Sequence, residues 1–254
     1  MSAWVYVLLA VAALLTSMLS AILGMGGGIL LLATIMCFLS HAEAIPTHAA
    51  TQIFSNGTRV LAFLKYLDRG AFGRFVVGLV PGATLGILLL WSLGEPQESE
   101  PYLKTLMGVF ILTATYLPRR SAGNDPKQGH WWDFPLMGLA AGTAALTVGA
   151  VGPLIAPLFA RRGFVKERLI ATKATCQLAT HILKIPAFLW IRHLDISRLG
   201  PLALLLIVMV VPGTLLGKRA LRGVSERGFR IAYRAALTVA GAKVLIIDGV
   251  WKLL

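Results

Sequence analysis

Residues 24–28 read Gly-Met-Gly-Gly-Gly, and residues 149–153 read Gly-Ala-Val-Gly-Pro. Each stretch interrupts an apolar run and opens a short helical segment, 28–39 and 153–161. Neither segment is long enough to cross a bilayer alone, which takes about 20 residues. A helix broken inside a membrane leaves free N–H groups at the start of the half-helix that follows. The macrodipole adds positive potential at the same place. Gly26, Gly27 and Gly28 let a backbone approach closely, and Pro153 suits a first helical turn, where its missing N–H costs nothing. Two such breaks predict a membrane fold that presents two half-helix N-termini to something anionic.

Outward from the breaks, further helices are expected at about 4–23, 44–66, 72–93, 102–118, 131–149, 167–191, 198–221 and 229–251. Composition agrees. The chain is 57% apolar and 14% charged, with a mean hydropathy of +0.76. A soluble domain cannot hide that much apolar surface. Lipid offers the backbone no partners, so long apolar runs must be helices, and the short alternating segments of a membrane barrel are absent. The run from Trp4 to Leu23 lacks a basic leader region and is read as a retained helix.

A shift of 125 places Gly24 on Gly149, Ile45 on Ile170, Thr47 on Thr172 and Gln52 on Gln177 without a gap. After a small insertion, residues 80–86 (VPGATLG) fall on 211–217 (VPGTLLG). This is the signature of a duplication. The chain divides into a first repeat over 1–118, a polar linker over 119–130 on the cytoplasmic side, and a second repeat over 131–254, within one integral membrane domain. Pro81 and Pro212 are expected to bend or break equivalent helices.

The net charge is +13, carried mainly in turns between apolar runs. Glu95, Glu98 and Glu100 mark an outside loop, whereas 65–74, 119–127, 161–168 and 218–230 are basic and read as inside. All four lie inside only if the second repeat is inverted relative to the first, with both termini periplasmic. The mildly basic turn at 192–198 would then be outside, the one placement that fits badly. No basic patch interleaved with aromatics suggests nucleic acid.

In the third segment His48, Gln52, Asn56 and Arg59 share one helical face. Their counterparts at +125 are Lys173, Gln177, His181 and Lys184. Arg or Lys near a bilayer centre costs about 2.5–3.5 kcal/mol on insertion scales, so such residues face protein or water. A blander reading has Arg59 and Lys184 snorkelling from helix ends, the histidines packing helices, and the glycines merely allowing close packing. The symmetry of the stripes favours a substrate path. With Gly26, Gly27, Gly28 and Gly152 they form the candidate site for a small anion. No carboxylate lies deep in any segment, so cation coordination is not expected. Cys37 and Cys176 fall on Arg162 and Thr51 in the repeat, which argues against a thiol–disulfide carrier.

At the Gly24–Gly28 stretch, its weaker echo at 149–153, and the segments Ala49-Ala50-Thr51-Gln52 and Ala174-Thr175-Cys176-Gln177, the chain resembles the TauE/SafE family of sulfite and organosulfonate exporters. Val151 stands where that family often has glycine, and Gln52 and Gln177 stand where a small hydroxyl residue is expected. The resemblance implies a secondary transporter, an exporter of a sulfur-containing anion such as sulfite or an organosulfonate, in the bacterial inner membrane. A passive anion channel is the nearest alternative. An intramembrane enzyme ranks lower, because no metalloprotease, serine-hydrolase or paired-carboxylate motif is present. No cofactor, metal or nucleic acid is expected. The anticipated partners are the anion and the bilayer, with homo-oligomerisation left open.

Overall fold

The computed structural model describes residues 2–23, 26–116, 130–164, 166–191, 196–220 and 226–254. Among the described residues the fold is entirely helical, with ten α-helices and no strand. They are α1 (Ala3–Leu23), α2 (Gly27–Met36), α3 (His41–Phe63), α4 (Arg69–Ser92), α5 (Pro96–Tyr116), α6 (Asp133–Thr147), α7 (Gly152–Arg161), α8 (Lys166–Ile191), α9 (Ile196–Ala220) and α10 (Glu226–Ala242). Each falls on a segment expected from the sequence; the largest differences are the earlier end of α10 and the earlier start of α5. The linker at 119–130 lies, apart from His130, outside the described residues.

Local chemistry explains the boundaries. Gly26 has φ 102° and Gly149 has φ 79°, left-handed conformations that favour glycine, and α2 and α7 begin just beyond them. Ser40 and Glu43 form a reciprocal capping box at the start of α3. Asp68 caps α4 by accepting from the Ala71 amide. α2 and α7 have ten residues each, about 15 Å at 1.5 Å per residue, roughly half of a hydrocarbon core. α10 passes into a π-turn at Lys243–Ile247, where the Lys243 ammonium donates to the Cys37 carbonyl and pairs with Asp248.

Among the described residues three helices are long and apolar enough to cross a membrane, over Ala3–Ser20, Arg69–Ser92 and Leu199–Leu216. Their outer faces expose Val7, Val11 and Leu15, then Val77 and Leu88, then Leu204, Val208 and Leu215. In water such faces would be a liability; against lipid they are the correct solvent contact. This is a multi-pass membrane protein.

The main pairings are α4 on α6, α1 on α9, and α3 on α8. The first is a mutual glycine seam. A Cβ on Gly78 or Gly82 would lie 1.8 or 2.2 Å from the carbonyl oxygen of Pro135 or Leu139, and one on Gly138 would lie 2.0 Å from that of Phe75. Small residues here let backbones touch, which replaces the hydrophobic drive that lipid does not supply. One apolar cluster joins α1, α2, α5, α9 and α10 around Leu9, Leu32, Met36, Ile111 and Leu206. A second joins α4, α6, α7 and α8 around Phe75, Phe134, Phe159 and Cys176.

Neither proline breaks its helix. α4 runs unbroken through Pro81 and α9 through Pro212, and neither ring reaches the cavity described below. Pro81 is exposed on α4, beside the Gly78 and Gly82 seam that packs the helix onto α6.

Candidate functional site

A cavity of about 60 Å³ sits where the two breaks approach each other. At about 10–15 Å³ per water, it has room for some four to six water-sized groups. From the first half of the sequence it is lined by Ser20 of α1, Gly26, Gly28 and Ile29 at the first break, His48, Gln52 and Arg59 of α3, and Ala114 of α5. From the second half come Ala150 to Pro153 at the second break, Lys173, Gln177 and His181 of α8, and Tyr233 and Leu237 of α10.

The breaks are clasped from neighbouring helices. His48 Nε2 lies 2.9 Å from the Gly28 carbonyl oxygen, and the Tyr233 hydroxyl donates to that of Gly26 at 3.0 Å. At the second break the Lys184 ammonium donates to the Gly149 carbonyl. The glutamines repeat one arrangement on both sides. The Gln52 amide lies 3.3 Å from where a Cβ of Gly28 would be, and Gln177 Nε2 lies 3.0 Å from where a Cβ of Gly152 would be. The glycines are what admit these amides to the first turns of α2 and α7.

Asn56 Nδ2 donates to the Gln52 backbone oxygen at 3.0 Å and approaches its Oε1 at 3.4 Å, which turns the Gln52 amide hydrogens the other way. Arg59 donates to Ser20 Oγ at 2.6 Å. The His48 and His181 rings meet edge-to-face, centroids 5.5 Å apart, across the α3–α8 contact. The cavity wall therefore carries two cations, Arg59 and Lys173, two amides and two imidazoles. No Asp or Glu is among its lining residues. Among the described residues no cluster of His, Cys, Asp and Glu could hold a metal. Such a wall suits a desolvated anion, whose hydration must be replaced by fixed donors.

Of the residues singled out from sequence, Gly26, Gly28, His48, Gln52, Arg59, Gly152, Lys173, Gln177 and His181 line this cavity. Gly27, Asn56 and Lys184 stand behind it. Gly27 packs on α1, where an added Cβ would lie 2.0 Å from the Thr16 carbonyl oxygen. Asn56 orients Gln52, and Lys184 turns to Gly149 and His181. Sequence reading missed Tyr233 and Ser20. A signal for Ser20 existed, since Thr16, Ser17 and Ser20 are buried polar residues on an otherwise apolar α1. Tyr233 gave none, because α10 reads as a basic amphipathic helix.

No curated protein and no solved structure gives a significant match to the chain. A model of the family described as Sulfite exporter TauE/SafE does match, over residues 9–244. That range runs from the first turns of α1 into the π-turn beyond α10 and includes every residue of the cavity wall. The chain belongs to the Sulfite exporter TauE/SafE family.

Proposed function

We propose that this protein is a secondary transporter that exports a small sulfur-containing anion, sulfite or an organosulfonate, across the bacterial inner membrane, with the cavity as its binding site. The observation that carries this reading is the cavity wall: two half-helix N-termini, Lys173, Arg59, Gln52 and Gln177 converge there with no carboxylate among them. The family is one of transporters, and no feature of the wall resembles a catalytic constellation.

In this reading the two repeats are inverted relative to one another. Reciprocal packing supports a two-fold relation between the repeats, because α4 seats on α6 just as its counterpart α9 seats on α1. The ion pair between Asp68 and Arg168, N–O 2.6 Å, supports the inversion, since it puts the basic turns at 65–74 and 161–168 at one end of the molecule. That end is cytoplasmic, and both termini are periplasmic. Cysteines placed at the exposed positions Lys65, Arg161 and Gln97 test the topology. Lys65→Cys and Arg161→Cys should label from one side and Gln97→Cys from the other. Transport itself is tested with purified protein in liposomes: sulfite efflux should saturate and show counterflow. Flux that rises linearly with concentration, without counterflow, would make the protein a channel.

A further inference from the structure

The two histidines of the cavity are chemically unlike. His181 Nδ1 lies 3.2 Å from the Lys184 ammonium, which has only hydrogens to give. That nitrogen accepts, so His181 carries its hydrogen on Nε2, and a second proton would set donor against donor. His48 is constrained the other way. Its Nε2 lies 2.9 Å from the Gly28 carbonyl, which can only accept, so Nε2 carries the hydrogen. The remaining Nδ1 of His48 is buried with no hydrogen-bond partner, in a side chain only 2% exposed. A buried polar atom left in this way calls for an explanation.

We propose that His48 Nδ1 is a proton-binding site that loads together with the anion. The proton comes from water onto the Nδ1 lone pair, and no bond within the anion changes. The ring keeps its Nε2–H on Gly28 and gains a second N–H. The charged and titratable groups around it are Lys173, His181 and Lys184 from α8, Arg59 from its own helix and Tyr233 from α10. The remaining wall, from α1, α2, α5 and α7, contributes no titratable side chain. In the empty cavity these cations repel a proton on His48. An anion among them offsets that repulsion, so proton and anion each favour binding of the other, by the same factor. The inference rests on the anion-cavity reading and specifies its coupling ion.

Thiosulfate and methanesulfonate hold no titratable proton near neutrality, so any proton taken up as they bind belongs to the protein. Uptake can be followed with a pH-indicator dye in lightly buffered detergent solution, alongside a binding isotherm. The wild-type protein should take up as much as one proton per anion bound. Its affinity should fall with rising pH, by at most about tenfold per unit. His48→Gln keeps an amide N–H for the Gly28 carbonyl and should take up no proton per anion bound. Wild-type binding without uptake, or uptake persisting in His48→Gln, overturns the proposal and leaves the cavity an anion site. If His48→Gln does not bind, nitrogen-15 spectra of the histidine-labelled wild-type protein decide: a ring that becomes doubly protonated as the anion binds supports the proposal, and rings that all stay neutral overturn it. If neither anion nor sulfite binds the wild-type protein, the anion-cavity reading fails, and this inference with it.

Discussion

Lys184 and Gly149, 35 residues apart in sequence, meet at the second helix break, where the fully buried ammonium donates to the carbonyl. Gly149 sits at φ 79° just past the end of α6, so its carbonyl belongs to the negative end of that helix. The His41 ring lies 2.8 Å from the Thr147 carbonyl oxygen at the same helix end. The cation thus offsets a helix C-terminus on one side while the N-terminus of α7 stays open to the cavity on the other.

Replacing Lys184 with Met, of similar length and no charge, should therefore act on the site without lining it. Losing the clasp lets the second break relax, and anion affinity is expected to fall about tenfold, or 1.4 kcal/mol. Titration calorimetry measures this, with size-exclusion behaviour as the check on folding. Unchanged affinity would separate Lys184 from the site.

Gly26 and Tyr233 test the first break. Tyr233→Phe removes one hydrogen bond and keeps the ring, so it should cost about 0.5–1.5 kcal/mol of stability. Gly26→Ala should cost more, because its Cβ would lie 2.6 Å from the Tyr233 hydroxyl and its φ of 102° disfavours any side chain. Combining Gly26→Ala with Tyr233→Ala relieves the clash but not the backbone strain. The double variant should accordingly lose less than the sum of the two single losses in thermal melting. Strict additivity would argue against the contact.

Acid should weaken the end of the molecule that carries Asp68 and Arg168 first. Burial raises the Asp68 carboxyl pKa, but the Ala71 amide and the Arg168 guanidinium outweigh it and hold the group below its usual value. A carboxylate depressed in the folded state binds fewer protons there than in the unfolded chain. Its stabilisation is present above the unfolded pKa of about 3.9 and is lost as pH falls through the folded value. Asp68→Asn keeps a capping oxygen for the Ala71 amide but loses the ion pair with Arg168, so it should lower stability at neutral pH by about 0.2–1 kcal/mol and flatten the loss between about pH 5 and 3. Melting curves across that range would show an unchanged acid limb if the pair contributes nothing.

The helices were legible because lipid imposes one solution on a long apolar run, and glycine at 24–28 and 149–152 marked where that solution is interrupted. The stripe on α3 was legible too, but periodicity assigns a face and not a depth. Gln52 reaches the cavity, while Asn56, one turn on, spends its hydrogens holding Gln52. Tyr233 was not legible because its role arises from α10 packing beside a break 207 residues away. Pro81 does not break α4, because losing one backbone hydrogen bond is tolerated in a helix locked by Gly78 and Gly82 onto α6.

The most direct test of the central claim is anion affinity in the wild-type protein and in Lys173→Ala and Gln177→Ala, measured by calorimetry with sulfite, thiosulfate, sulfoacetate and taurine. Both side chains line the cavity, Lys173 supplying charge and Gln177 an amide beside Gly152. Losing a hydrogen bond to a charged ligand costs about 1.5–3 kcal/mol, so each variant should bind its preferred anion at least about tenfold more weakly while remaining folded. Folded variants that both bind with wild-type affinity would contradict the account and place the anion elsewhere.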